Sequence, residues 1–242
     1  MAGSVVVAMA GRDGRGPVDG PALASSARSL VLAGWHLVLM TDRSGGDDVH
    51  AADLALTLGQ SRAGRRAVPV VAHVLVDPAD PALASPPAAD HPEPLAILEA
   101  EAIASLIGSF PVVVTAGVPV VPHGDAYRPV AVDLDPAASA QRLAGDLGAG
   151  VLAFVTAAGD GVFPAGEIDV VEAERLAAEG APLAAELAAA ARFVRAGGEL
   201  AIMTPPEGLA AALDGSAAGV LRIRRTVARP RSQAPALAVG WC

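Results

Sequence analysis

Short runs of apolar, β-branched residues recur along this chain, each closing on glycines, prolines or acids and each followed by residues at helical spacing. Few folds accommodate that alternation. Its clearest instance runs from Val130 to Phe163. Asp135 suits a helix N-cap and Pro136 the first helical position, and Ala140, Leu143, Ala144 and Leu147 recur at helical spacing until Gly148 and Gly150 stop the helix. Val151 to Thr156 then reads as a buried strand running into a Gly159-Asp160-Gly161 turn.

The same unit repeats elsewhere. Val5 to Ala10 is a strand that opens into the glycine-rich Gly11 to Gly16, with a helix from about Pro21 to Ala33. His36 to Thr41 is a second strand, and after Asp42 to Asp48 a helix capped by Asp47 or Asp48 runs to about Leu58. Val68 to Val76 is a third, followed by the proline-rich excursion from Asp77 to Pro94. A helix is expected from near Leu95, with Leu98, Ile103, Leu106 and Ile107 as its apolar face. Pro111 to Val121 reads as a strand broken at Ala116-Gly117-Val118-Pro119. After a polar stretch, Glu172 to Arg195 gives two helices with a break near Gly180-Ala181-Pro182. Glu199 to Thr204, Glu207 to Leu213 and Gly219 to Arg224 follow as strand, helix and strand. Strands alternating with helices predict an α/β fold, a three-layer αβα sandwich on a mostly parallel sheet.

In such sheets ligands sit beyond the carboxyl ends of the strands, so the strand-end loops are the first places to seek a site. Composition narrows what that site can do. All 17 basic side chains are Arg, with no Lys anywhere. No ammonium is therefore present to act as Schiff-base nucleophile, general base or compact phosphate clamp, and Arg stays protonated and cannot replace the first two. A net charge of −9 argues against a general nucleic-acid binder. No apolar run reaches the roughly 18 residues that cross a bilayer, and Met1-Ala2-Gly3-Ser4 lacks the basic start of a signal peptide, so the expected location is the cytoplasm. The single cysteine, Cys242, excludes a disulfide framework or cysteine metal cluster within one chain.

Several of these stretches, in this order, resemble carbamate kinase of the amino-acid kinase family. Val5 to Gly11 is similar to its first strand and Gly-Gly-Asn loop, Gly34 to Thr41 to its Gly-His-Glu-Leu-Val-Ile-Thr strand, and Val74 to Ala82 to its Val-Asp-Pro-x-Asp-Pro-Ala segment. Ile97-Leu98-Glu99 with Ile103, Val130 to Pro136 against a Val-Ile-Asp-Lys-Asp helix start, Thr156 to Phe163 against a Thr-Asp-Val-Asp-Gly-Val-Tyr loop, and Ala188 to Ile202 complete the match. The resemblance implies one amino-acid-kinase-like domain over 1–225. An acceptor lobe would occupy about 1–125, with its protruding subdomain trimmed to about 77–94. A nucleotide lobe would occupy about 126–225, with 226–242 as an extension. It implies ATP or ADP with Mg²⁺ as cofactor, a small anionic ligand, and a homodimer or a hetero-oligomer with a related subunit. No nucleic-acid or membrane partner and no resident protein-bound metal are expected.

Carried over residue by residue, the resemblance assigns nucleotide contacts to Thr156, Asp160, Gly161 and Phe163. It assigns phosphate and acceptor loops to Gly11, Ser44, Gly45, Gly46 and Gly117. The transfer chemistry it implies has lost its cations. The family lysine of Asp-Lys-Asp falls on Leu134, between Asp133 and Asp135, and that of Gly-Pro-Lys-Val falls near Leu183 to Glu186. A single cation facing the transferring group is worth roughly 10³-fold or more in rate. The chain therefore reads as a diverged protein with lost or greatly reduced phosphotransferase activity, serving as a binding or partner subunit. Two other readings stand beside it. One is an active kinase moving phosphate between ATP and carbamate or a carboxylate acceptor, in which Arg12 and Arg43 replace the lysines by holding phosphate bidentately and Asp135 is the retained family acid. The other is a nucleotide sensor without turnover.

Further polar residues carry weaker signals. Arg128 lies near a strand end and reads first as a solvated side chain. His36 and His73 fall in expected strands as core or sheet-edge residues, and His123 sits in a strand-end loop. Asp47, Asp48 and His50 have a spacing that meets a metal but suits a capped, solvated helix start better.

Overall fold

The computed structural model describes residues 5–10, 20–41, 67–83, 91–156, 165–215 and 219–225. Ten strands form one sheet: β1 (Val5–Ala10), β2 (His36–Thr41), β3 (Ala67–Val76), β4 (Pro94–Ile97), β5 (Val112–His123), β6 (Ala126–Pro129), β7 (Val151–Val155), β8 (Gly166–Asp169), β9 (Leu200–Thr204) and β10 (Leu221–Arg224). Their order is β4-β3-β5-β2-β1-β7-β9-β10-β8, with β6 paired to β5 off that path. Pairing is parallel except for β3–β4, β5–β6 and β9–β10.

Among the described residues six α-helices cover the two faces: α1 (Gly20–Leu32), α2 (Ala100–Ile107), α3 (Pro136–Asp146), α4 (Val170–Ala178), α5 (Ala184–Ala196) and α6 (Leu209–Asp214). The period of two along β1 explains why both faces need covering. Val7 and Met9 join one core with Ile103 of α2, Leu143 of α3, Ala173 of α4 and Phe193 of α5. Val6, Ala8 and Ala10 join the other with Leu23, Ala27 and Leu30 of α1 and Leu209 and Ala212 of α6. The three-layer sandwich is therefore present. Ser26 Oγ fastens one outer layer, donating to the Pro206 carbonyl at 2.6 Å from the buried side of α1.

Three expectations are corrected. The helix expected from Leu95 begins at Ala100, and Pro94–Ile97 is instead β4, antiparallel to β3, with the Ile97 N–H donating to Asp146 Oδ2 at 3.0 Å. β5 is unbroken. Ala72 lies opposite Gly117 and Val74 opposite Pro119, whose carbonyl accepts from Val130 N at 3.1 Å. β2 flanks β5 only as far as Ala116; β6 then takes over that flank, returning through a two-residue turn with Gly124 at φ +61°. The polar stretch before Glu172 contains β8, and α4 already begins at Val170. The expected helix from Asp47 or Asp48 to Leu58 and the extension 226–242 lie outside the described residues.

The Asp77 to Ala82 segment owes its shape to its own side chains. Asp77 Oδ1 accepts from Ala79 N and Asp80 Oδ1 from Ala82 N, each at 2.9 Å, two successive turns in which aspartate stands in for backbone. Asp80 Oδ2 also accepts from Glu93 N at 3.4 Å, joining the start of the excursion to its end.

Candidate functional site

Four parallel strands, β1, β2, β7 and β9, finish at one level, which β5 crosses at Ala116 before running on to His123. Ala116 of β5 is in register with Thr41 of β2, Thr41 with Ala10 of β1, Ala10 with Val155 of β7, and Val155 with Thr204 of β9. The helices α1, α3 and α5 each precede a parallel strand, so their starts lie on this carboxyl side of the sheet. Among the described residues that the sequence nominates, Gly117 and Thr156 lie next to this line.

Over Gly117, within β5, stands the segment Asp133-Leu134-Asp135. Asp135 is the N-cap of α3, its Oδ1 accepting from Ala137 N at 2.8 Å and Ala138 N at 3.2 Å, with Pro136 in the first turn as expected. The Asp133 carbonyl faces His91 Nδ1 at 3.1 Å. Leu134 is half-buried and packs onto the core rather than standing over the strand ends. A Cβ placed on Gly117 would lie 2.9 Å from Met40 Cε, 3.2 Å from Val74 Cγ2 and 3.5 Å from Leu134 Cδ1. The glycine is thus needed because Met40, Val74 and Leu134 fill the space above it. Gly117 is inside β5, not in a loop. Nearby, Thr41 Oγ1 donates to the Thr115 carbonyl at 3.3 Å, and Thr115 Oγ1 is buried without a hydrogen-bond partner among the described residues.

Thr156 stands at the other end, its N–H donating to the Thr204 carbonyl at 3.0 Å. It and Gly117 are each one residue past the line on strands three spacings apart, roughly 14 Å. Beyond β9 the chain turns tightly: a Cβ on Gly208 would lie 2.6 Å from Thr204 Oγ1. Leu183, at the start of α5 near where the second family lysine falls, has φ +59° and gives the helix no side-chain cap. That conformation costs a leucine roughly 1–2 kcal/mol.

The remaining nominated residues separate from this cluster. Arg128 and His123 are exposed on the β5–β6 hairpin. His36 lies at the amino end of β2, opposite the strand-end loops, with Nδ1 buried and unpartnered among the described residues. Arg12, Arg43, Gly11, Ser44, Gly45, Gly46, Asp160, Gly161 and Phe163, with Asp47, Asp48 and His50, lie outside the described residues. Met40 and Val74, the floor beneath Leu134, were not nominated, because as apolar strand residues they carry no signal of chemistry. The pair of His73 and Glu99 was also missed, although a glutamate directly before a helix, where Ser or Asp is commoner, is a legible oddity.

Among the described residues no group of three or more His, Cys, Asp or Glu side chains is arranged to hold a metal ion. No described helix is long and apolar enough to cross a membrane. The resolved titration shifts lie away from the strand ends, on exposed α4. Hydrogen bonding from Arg175 holds the Glu172 carboxyl below its usual range, and Glu172 and Glu179 hold the Arg175 guanidinium above its own. In full solvent such pairs contribute little to stability.

Comparison with known proteins fits this geometry. The carbamate kinase of Halobacterium salinarum is 35% identical over 142 residues, covering 52% of this chain and 46% of that protein. The chain thus spans about half the length of the curated relative it matches. The structure of carbamate kinase from Giardia lamblia bound to AMP-PNP superposes with TM-score 0.78 at 20% identity, covering 93% of this chain and 99% of that one. N-acetylglutamate synthase from Neisseria gonorrhoeae, complexed with coenzyme A and N-acetyl-glutamate, superposes with TM-score 0.65 at 15% identity, covering 93% of this chain and 60% of that one. No family model matches the sequence. The chain is carbamate kinase-like, with the fold of the amino-acid kinases.

Proposed function

We propose that this chain keeps the carbamate kinase scaffold, has lost or greatly reduced phosphotransferase activity, and acts in the cytoplasm as a binding or partner subunit. The observation that carries this reading is Leu134. Where the resemblance implies a lysine on the transferring phosphoryl group, a leucine packs with Met40 and Val74 over Gly117. Its neighbour Asp135 commits Oδ1 to capping α3. A cation there is worth roughly 10³-fold or more in rate, and a hydrocarbon supplies none of it.

In this reading residues 1–125, with the shortened excursion 77–94, form the acceptor lobe and 126–225 the nucleotide lobe. Thr156, with Asp160, Gly161 and Phe163, would hold the adenosine end of ATP or ADP, and Gly11, Ser44, Gly45 and Gly46 an anionic ligand. The bound nucleotide, with its own Mg²⁺, supplies whatever phosphoryl chemistry survives. The partner is a second copy or a related subunit, which sedimentation of the purified chain distinguishes.

The reading is tested by incubating the protein with ADP and carbamoyl phosphate. ATP formation at the level of a no-protein control is expected. ATP well above that control, abolished in Arg12→Ala or Arg43→Ala, overturns it in favour of an active kinase using arginines. The kinship with a named carbamate kinase is what keeps that second reading in view. A nucleotide sensor without turnover predicts a rise in melting temperature with ATP or ADP, since a ligand that binds only the folded state stabilises it. No shift at millimolar nucleotide counts against it.

A further inference from the structure

We propose that His73 is a nucleophilic imidazole that accepts a phosphoryl group from a small acyl phosphate, independently of any nucleotide site. The proposal rests on how Glu99 holds it. Glu99 occupies the N-cap position of α2 but makes no side-chain cap there; both its oxygens turn back to β3. Oε2 accepts from the His73 backbone N–H at 2.6 Å, and Oε1 lies 2.5 Å from His73 Nδ1. Leu98 N donates to the His73 carbonyl at 3.0 Å, completing a three-point clamp.

A carboxylate only accepts hydrogen bonds, so Nδ1 carries a ring proton, and in the neutral imidazole, the form that reacts, Nε2 keeps a lone pair. The His73 side chain is 40% exposed, and Nε2 has no hydrogen-bond partner among the described residues. The imidazole is therefore fixed in one tautomer, with its unprotonated nitrogen as the accessible one. This is the carboxylate–imidazole arrangement by which a base or nucleophile is oriented by a third group. Nearby surface is apolar: Val71 on the same face of β3 is exposed, and Val118, paired with His73 across to β5, is half-buried.

The step balances without a further reagent. The Nε2 lone pair attacks phosphorus, the N–P bond forms, and the P–O bond to the acyl group breaks. The carboxylate leaves with that electron pair. No proton has to move, because Nε2 carried none. The ring gains a positive charge, which the Glu99 carboxylate beside Nδ1 neutralises.

Two exposed histidines, His91 and His123, provide internal controls. His91 meets only a backbone carbonyl at Nδ1, and His123 is an exposed hairpin residue. Purified full-length protein is incubated with acetyl phosphate, and base-stable, acid-labile phosphorylation is mapped by mass spectrometry. Label is expected at His73 at least about tenfold faster than at His91 or His123. It is expected to be lost in His73→Gln and slowed about tenfold in Glu99→Gln, the usual effect of removing a group that orients an imidazole. Circular dichroism and melting confirm that each variant is folded. Should Glu99→Gln unfold, the wild-type ratio of His73 to His91 and His123 decides alone. Equal labelling of the three histidines, or a folded Glu99→Gln variant labelled at the wild-type rate, overturns the proposal.

Discussion

The starts of α3 and α5 lie on the same side of the sheet and are built in opposite ways. At α3, Asp135 caps two N–H groups, Pro136 occupies the first turn, and Leu134 anchors the approach on Met40, Val74 and the face of Gly117. At α5, Leu183 sits at φ +59° and its own side chain provides no cap. The resemblance places a lysine at or near each start and the chain has none at either. At α3 the residue present is packed and its neighbour caps the helix; at α5 the residue present is strained. The two starts thus differ in local cost.

Substitutions at the two starts break or sharpen that contrast. Leu134→Lys should be the most damaging, destabilising by about 2 kcal/mol in urea unfolding because it removes packed hydrocarbon and brings a charge against the core. A neutral result would mean that Leu134 rests loosely over the site. Gly117→Ala should cost about 1–2 kcal/mol by overpacking against Met40 and Val74. Combining it with Met40→Ala should recover part of that loss, and strict additivity would argue against the contact. Asp135→Ala should cost about 1 kcal/mol through the lost cap, while Asp135→Asn costs much less. If both variants cost the same, the carboxylate has a role beyond capping. The smallest expected change has the opposite sign. Leu183→Gly should stabilise by about 0.5–1 kcal/mol, since relief of the left-handed leucine exceeds the added freedom of glycine in the unfolded chain. Destabilisation there would show that the Leu183 side chain makes up for its backbone.

α3 and β7 were legible because their signals are local: an Asp-Pro start, a helical apolar period and glycines at the end. β4 was not, because Leu98, Ile103, Leu106 and Ile107 share a helical spacing and invited extension back to Leu95. What stops the helix is the pairing of Pro94–Ile97 with β3 and the bond from Ile97 to Asp146, neither visible locally. β5 hid for a related reason. Gly117 and Pro119 ordinarily interrupt a strand, but here one makes room for packed side chains and the other uses the only polar group it has. β8 was missed because an edge strand paired to β10 has little apolar character to display.

At the site, the resemblance sets Leu134 where it implies a lysine, but does not say where that hydrocarbon goes. Its contact with Gly117 is a matter of topology: β5 and the approach to α3 are brought together by the β6 return. The His73–Glu99 clamp is likewise non-local, although Glu99 announces itself by standing where a shorter cap belongs.

The position of β1 has a consequence for how this molecule comes into being. One of its neighbours begins at His36 and the other at Val151. While the chain is being made, β1 can pair with β2 early, yet its second edge stays open until β7 has emerged, long after β2, β3 and β5 are complete. Long-range parallel pairing of this kind folds slowly and exposes an unpaired edge meanwhile. Pulse-labelled hydrogen exchange on ribosome-bound chains of increasing length should therefore protect the β1 amides that bond to β2 before those that bond to β7. The centre of the sheet, early in the chain, would close only once residues 151–155 have emerged.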